Sequence, residues 1–398
     1  MELTTDKLQL PVVPISNVSQ KKKDSVYFPG LNTLRFVAAY IVIVYHIEII
    51  KANQHLPSLS HIKAVDAMGK LGVILFFVLS GFLITYLLLA EKNVYNSIDV
   101  RKFYMRRVLR IWPLYYFILG LSFVVLFFVP GLQIGDSLIA SGITPGIILL
   151  YIFFLPNLAL ALSKPLPFFA QSWSVGVEEQ FYFVWPLLLR RFKNTGLLLG
   201  SILFIYLFVK LGLFGVIKYK LHYWNETMNV IKAFWNSFLI DTMAIGGLFS
   251  YAYYKKSAIL KFFYHPATQL ISYGMMLYLF ISGMGLGNLK SEIFSVLFGI
   301  LILNVATNKK LNITLLNTSV FQYLGKISYG VYMYHSLCII LTIKVMIKYD
   351  FYNNVLLYII ASALTILVSA VSYHYFERYF LSLKDRFTRI KSSDHQTL

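Results

Sequence analysis

Apolar runs about as long as a membrane-crossing helix recur along the chain, separated by short polar segments. Candidate spans lie at about 31–50, 69–90, 109–129, 172–189, 196–216, 234–254, 267–286, 291–307, 328–346 and 354–377. The pattern predicts an all-α integral membrane protein, a bundle of about ten transmembrane helices. An eleventh run, 146–162, is broken by Pro156-Asn157 and followed by Lys164-Pro165-Leu166-Pro167, which helices tolerate poorly.

Charge placement bears on that run. If it does not cross, the basic clusters at 101–107, 190–193, 255–261, 309–326 and 378–391 share one side with the lysines at 21–23, as the positive-inside rule requires. If it crosses, every later loop flips. The run is therefore expected to be re-entrant or interfacial, with both termini cytoplasmic in a cell (inner) membrane. Residues 1–27 are polar and lack the short apolar core of a signal peptide, so they are expected to form a cytoplasmic tail. Residues 28–380 form one membrane domain and 381–398 a basic cytoplasmic tail.

Composition supports this layout. With 58% hydrophobic and 13% charged positions among 398 residues, a soluble multidomain protein is excluded. The formal charge of +19 comes from segments between spans, which points to membrane lipid as a partner and away from nucleic acid. The single Cys338 excludes an internal disulfide and a cysteine-cluster metal site, and no metal site is expected. No serine-nucleophile elbow, Walker loop, dinucleotide fingerprint or zinc spacing occurs.

Ionisable residues inside apolar runs are costly and mark candidate sites. Arg35 and His46 lie in the first span, and eleven residues at about 100° each return them to one helix face, roughly 16 Å apart along the axis. A neutral imidazole is suited to take a proton from a hydroxyl, so His46 is a candidate general base. The structural alternative is a snorkelling Arg35 and a packed His46. Arg106, Arg107 and Arg110 run directly into the third span through Trp112-Pro113, where they serve as topological charge or cradle a cytoplasmic anionic cofactor. Glu178 and Glu179 stand side by side at a span entrance; Ser174, Glu178 and Tyr182 share a helix face at four-residue steps. Asp241 is a candidate partner of Arg35 or of a bound hydroxyl, and His335 shares a face with Ser328.

Taken in order, these strings resemble a known family. Arg35 with His46, then Leu-Phe-Phe-Val-Leu-Ser-Gly-Phe-Leu-Ile, the basic stretch before Ile-Trp-Pro-Leu-Tyr, Ser-Trp-Ser-Val-Gly-Val-Glu-Glu-Gln-Phe-Tyr and Leu-Gly-Lys-Ile-Ser-Tyr-Gly-Val-Tyr-Met-Tyr-His resemble the type-3 acyltransferases. The resemblance covers most of residues 28–380. It implies transfer of an acyl group, usually acetyl, from cytoplasmic acyl-CoA to a hydroxyl of a cell-surface or exported glycan, with no bound cofactor. It further implies that His46 and Arg35 are the essential pair, that residues 106–110 help receive the donor, and that Glu178 and Glu179 lie close to the site. Relatives often carry an appended esterase-like domain. The segment Tyr375-Phe-Glu377-Arg-Tyr-Phe departs from the family's glutamate-lysine-proline pattern, which leaves Glu377 outside the expected site. The expected function is a membrane O-acyltransferase, with direct transfer and an acyl-histidine intermediate both open. The competing readings are a transporter or glycan flippase using the buried charges as a substrate or proton path, and a non-catalytic docking partner.

Overall fold

A computed structural model of the chain describes residues 25–128, 143–218, 226–283 and 287–392. The polar segment up to residue 24, with its lysines at 21–23, lies outside the described residues. Helices dominate: α1 (Leu31–Asn53), α2 (Lys63–Tyr95), α3 (Val100–Phe128), α4 (Pro145–Ile152), α5 (Pro156–Leu162), α6 (Ser172–Arg191), α7 (Thr195–Lys218) and α8 (Glu226–Ser237) come first. They are followed by α9 (Ile240–Tyr254), α10 (Ile259–Phe263), α11 (Pro266–Ser282), α12 (Lys290–Thr307), α13 (Ser319–Lys326), α14 (Ser328–Lys348), α15 (Asn354–Ser372) and α16 (Arg378–Lys384). Two-residue strands β1 (Ser25–Val26) and β2 (Lys391–Ser392) pair in parallel.

Seven of these helical segments are long and apolar enough to cross a membrane: α1, α2, α3, α7, α12, α14, and α15 with its continuation through α16. The other expected spans fall on α6, whose two glutamates and two arginines make it more polar, on α9 and on α11. The span expected at 234–254 is divided, because α8 ends at Ser237 and α9 starts at Ile240.

Helices α1, α2, α9 and α14 make the centre, with α2 packed against both α1 and α9. Small residues allow this closeness: a Cβ at Gly81 would run into the Met243 carbonyl of α9, and one at Gly246 would meet the Val78 carbonyl of α2. Away from the centre, α7 turns Leu197, Phe204 and Phe208 outward, each about 70% exposed, the surface expected of a lipid-facing helix.

The run 146–162 does not form one helix. It breaks at Phe154, whose φ is 58°, into α4 and α5, neither of which alone reaches across roughly 30 Å of hydrocarbon. The turn is tied to α3 and α6: Tyr115 and Tyr116 donate to the Tyr151 and Ile152 carbonyls, and Gln180 Nε2 donates to the Phe154 carbonyl at 2.9 Å. These side chains satisfy the carbonyls that the broken helix leaves open.

The basic loops gather at one end. Lys92 Nζ at the end of α2 donates to the Leu189 carbonyl at the end of α6, Tyr27 donates to Asn317, and Tyr264 meets Thr307. The segment expected as a basic C-terminal tail folds back through Ser392: α16 packs on α3, and Arg389 pairs with Asp99 at 2.9 Å and with Glu91.

Candidate active site

A narrow cavity of about 90 Å³ opens between α1, α2, α3, α6 and α14. Arg35 enters it from the first turns of α1, Arg107 and Arg110 from α3, and Ser174, Glu178 and Tyr182 from the shared face of α6. Ser80 of α2 donates to Glu178 Oε1 at 2.5 Å, which fixes that carboxylate against the cavity wall. Tyr329 and Tyr332 of α14 close the opposite side. The guanidinium of Arg107 is 5.7 Å from the Phe103 ring centroid and 5.5 Å from that of Tyr182. Such aromatic contacts hold a cation in an apolar setting without neutralising it.

His46 lies further along α1 and does not line this cavity. It is reached through Tyr332, whose ring is 5.6 Å from Phe76 of the cavity and 5.8 Å from His335. The rings of His46 and His335 are 4.6 Å apart between centroids. His46 Nδ1 is 2.9 Å from the Val42 carbonyl, a contact only an N–H can make favourably, so Nε2 keeps the lone pair. His335 is completely buried, with Nδ1 2.6 Å from the Tyr332 carbonyl and Nε2 3.2 Å from Ser336 Oγ. A polar string continues through Ser336 to Gln171, and from Ser174 to the Tyr332 hydroxyl at 2.6 Å. His46 thus stands outside the cavity that holds Arg35, with the Tyr332 and His335 rings between them.

Neighbours in sequence separate here. Glu178 lines the cavity, whereas Glu179 accepts from Trp112 Nε1 at 2.9 Å and leaves its Oε1 without a hydrogen-bond partner among the described residues. Arg106 points toward the basic end, where it donates to the Phe387 carbonyl at 2.8 Å and pairs with Glu91 at 3.4 Å. Of the arginines expected to receive the donor, Arg107 and Arg110 face the cavity.

Two further expectations change. Asp241 is not in ion-pair contact with Arg35; it lies buried at the start of α9, facing Glu292, Lys210 and Tyr206. Glu377, left outside the expected site, is buried in a π-helical turn at Tyr373–Glu377, accepts from Ser372 at 3.3 Å and lies against Gly330, next to the cavity residue Tyr329. The signal for it was the one that marks Arg35, a charge inside an apolar run. Tyr332, which stands between the cavity and the histidines, had no such signal.

A family model described as an acyltransferase domain matches residues 28–374. The chain belongs to the type-3 acyltransferase family. Among curated proteins it is similar to the O-acetyltransferase OatA of Staphylococcus aureus strain NCTC 8325 / PS 47, 34% identical over 208 residues, covering 48% of this chain and 30% of that protein. It is also similar to the putative peptidoglycan O-acetyltransferase YrhL of Bacillus subtilis strain 168, 34% identical over 167 residues, covering 41% of this chain and 24% of that protein. The peptidoglycan O-acetyltransferase OatA of Listeria monocytogenes serovar 1/2a is 32% identical over 187 residues, covering 44% of this chain and 27% of that protein. Each match spans less than a third of the relative's length. No solved structure matches this type-3 acyltransferase.

Proposed function

We propose that this acyltransferase moves an acetyl group from cytoplasmic acetyl-CoA to a hydroxyl of a cell-surface glycan of the peptidoglycan class. It does so in the cell membrane, with its basic end and both termini in the cytoplasm. The observation that carries the reading is a cavity lined by Arg35, Arg107 and Arg110 that reaches Tyr332, and, past the Tyr332 and His335 rings, an imidazole whose Nε2 lone pair is left available. Small-molecule pockets are roughly 300–1,000 Å³. A cavity of about 90 Å³ accepts only the slim thioester arm of the donor, leaving the phosphates near Arg107 and Arg110.

In the step itself, His46 Nε2 takes the proton of the acceptor hydroxyl as that oxygen attacks the thioester carbonyl carbon. The carbon–sulfur bond then breaks and the leaving thiolate is protonated, giving the acetyl ester and free CoA. Arg35, whose Nη1 donates to Asn32 Oδ1 at 2.9 Å at the start of α1, orients the donor from within the cavity. Glu178, held by Ser80, sets the charge balance beside the arginines, and Glu179 steadies Trp112 from behind. The buried His335 keeps the His46 ring in register.

The test is release of free CoA thiol by the purified full-length chain in lipid nanodiscs, with and without soluble glycan strands. Acceptor-dependent release together with glycan-bound acetyl supports the reading. Movement of intact glycan across sealed vesicles without any thiol release would instead establish the transporter class.

A further inference from the structure

At the basic end, away from the site above, a cavity of about 950 Å³ lies between the ends of α9, α10, α11 and α12. Its rim carries Lys256, Lys261, Lys309, Lys310 and His265, and its lining contains no carboxylate. None of the four lysines pairs with a carboxylate among the described residues. The walls are fixed by the hydrogen bond of 2.7 Å between Tyr264 and Thr307. Inside, the Tyr273 hydroxyl is buried and has no partner among the described residues. Lys256 occupies a left-handed position just after α9, φ 51°, where glycine is favoured.

Four cations and an unpartnered hydroxyl around one volume fit a phosphate-bearing anion. The apolar side of the cavity indicates its source. Leu270, 76% exposed, sits at the cavity edge, and Leu277 and Ile281, 57% and 65% exposed, continue the same face of α11 toward the opposite end. A free phosphate compound has no use for that stripe, whereas an acyl chain would follow it from a headgroup held at the lysines.

We propose that this cavity binds the phosphate headgroup of an anionic phospholipid, its chain lying along Leu270, Leu277 and Ile281. Lipid retention by the full chain, purified from mixed phosphatidylglycerol and phosphatidylcholine and read by native mass spectrometry, tests the proposal. The wild type should keep phosphatidylglycerol in preference to phosphatidylcholine. Lys256→Gln, Lys261→Gln, Lys309→Gln and Lys310→Gln should each lower that preference roughly fivefold. Arg190→Gln with Arg191→Gln, at the same end but outside the cavity, should not lower it. If the lysine variants fail to fold, Tyr273→Phe supplies the test, since it removes a hydroxyl without a partner among the described residues and should weaken retention while leaving thermal stability unchanged. Equal losses from the lysine and arginine sets would reduce the cavity to diffuse surface charge and overturn the proposal. Displacement of phosphatidylglycerol by inorganic phosphate or ADP at comparable concentration would overturn the lipid assignment in favour of a soluble phosphate.

Discussion

In the proposed mechanism the Val42 carbonyl sets what His46 can do, because it engages Nδ1–H and leaves the Nε2 lone pair for a proton. His46→Ala should lower acetyl transfer by about 10²–10⁴-fold, the usual contribution of a positioned base, with membrane insertion intact. His46→Gln should be equally inactive, since an amide does not accept the proton. Both are read as thiol release per inserted protein; wild-type acetylation by either variant would end the assignment. If His335 positions His46 as proposed, its loss should fall on kcat more than on KM. His335→Asn keeps an N–H able to donate to the Tyr332 carbonyl and should retain more activity than His335→Ala. Equal activity of the two would show that the Nδ1 contact is not what the ring supplies.

Among the elements, α3 separates functions that its sequence runs together. Arg107→Gln with Arg110→Gln should raise the KM for the donor more than it lowers kcat, because those side chains face the cavity. Arg106→Gln should leave that KM near wild type and instead loosen the junction with Glu91 and Phe387 at the basic end. A KM equally sensitive to all three would return the segment to a topological role. The α2–α9 crossing offers a packing test. Gly81→Ala puts a methyl against the Met243 carbonyl, an overpacking that costs about 1–3 kcal/mol and should appear as a lower melting temperature in detergent. Gly200→Ala on α7, where a Cβ meets nothing, is the neutral control.

For the whole molecule, donor access requires the loops after α2, α6 and α12 to share the cytoplasmic side. With Cys338→Ser as background, single cysteines at Asn96, Asn194 and Asn308 should be shielded from an impermeant thiol reagent in intact cells. A cysteine at Asp350, exposed in the loop between α14 and α15, should label. Labelling of Asn194 and Asn308 but not Asn96 would mean that the α4–α5 segment crosses after all.

The sequence alone determined the membrane class, the approximate helix positions, the break near Pro156 and the gathering of basic loops. It could do so because apolar length, proline chemistry and charge asymmetry are local properties that each segment carries alone. It also marked Arg35, His46 and the Glu178–Glu179 pair, since a charge at membrane depth is conspicuous wherever it finally points. What it left undecided concerns direction. Glu178 from Glu179 and Arg107 from Arg106 are one residue apart, about 100° around a helix, and only the packed neighbours fix which of each pair meets the cavity. Asp241 and Glu377 needed the same information, as did Tyr332, whose neutral ring resembles many others in the chain. Its place between cavity and histidines comes from α1, α2 and α14 meeting, a contact between residues far apart in sequence.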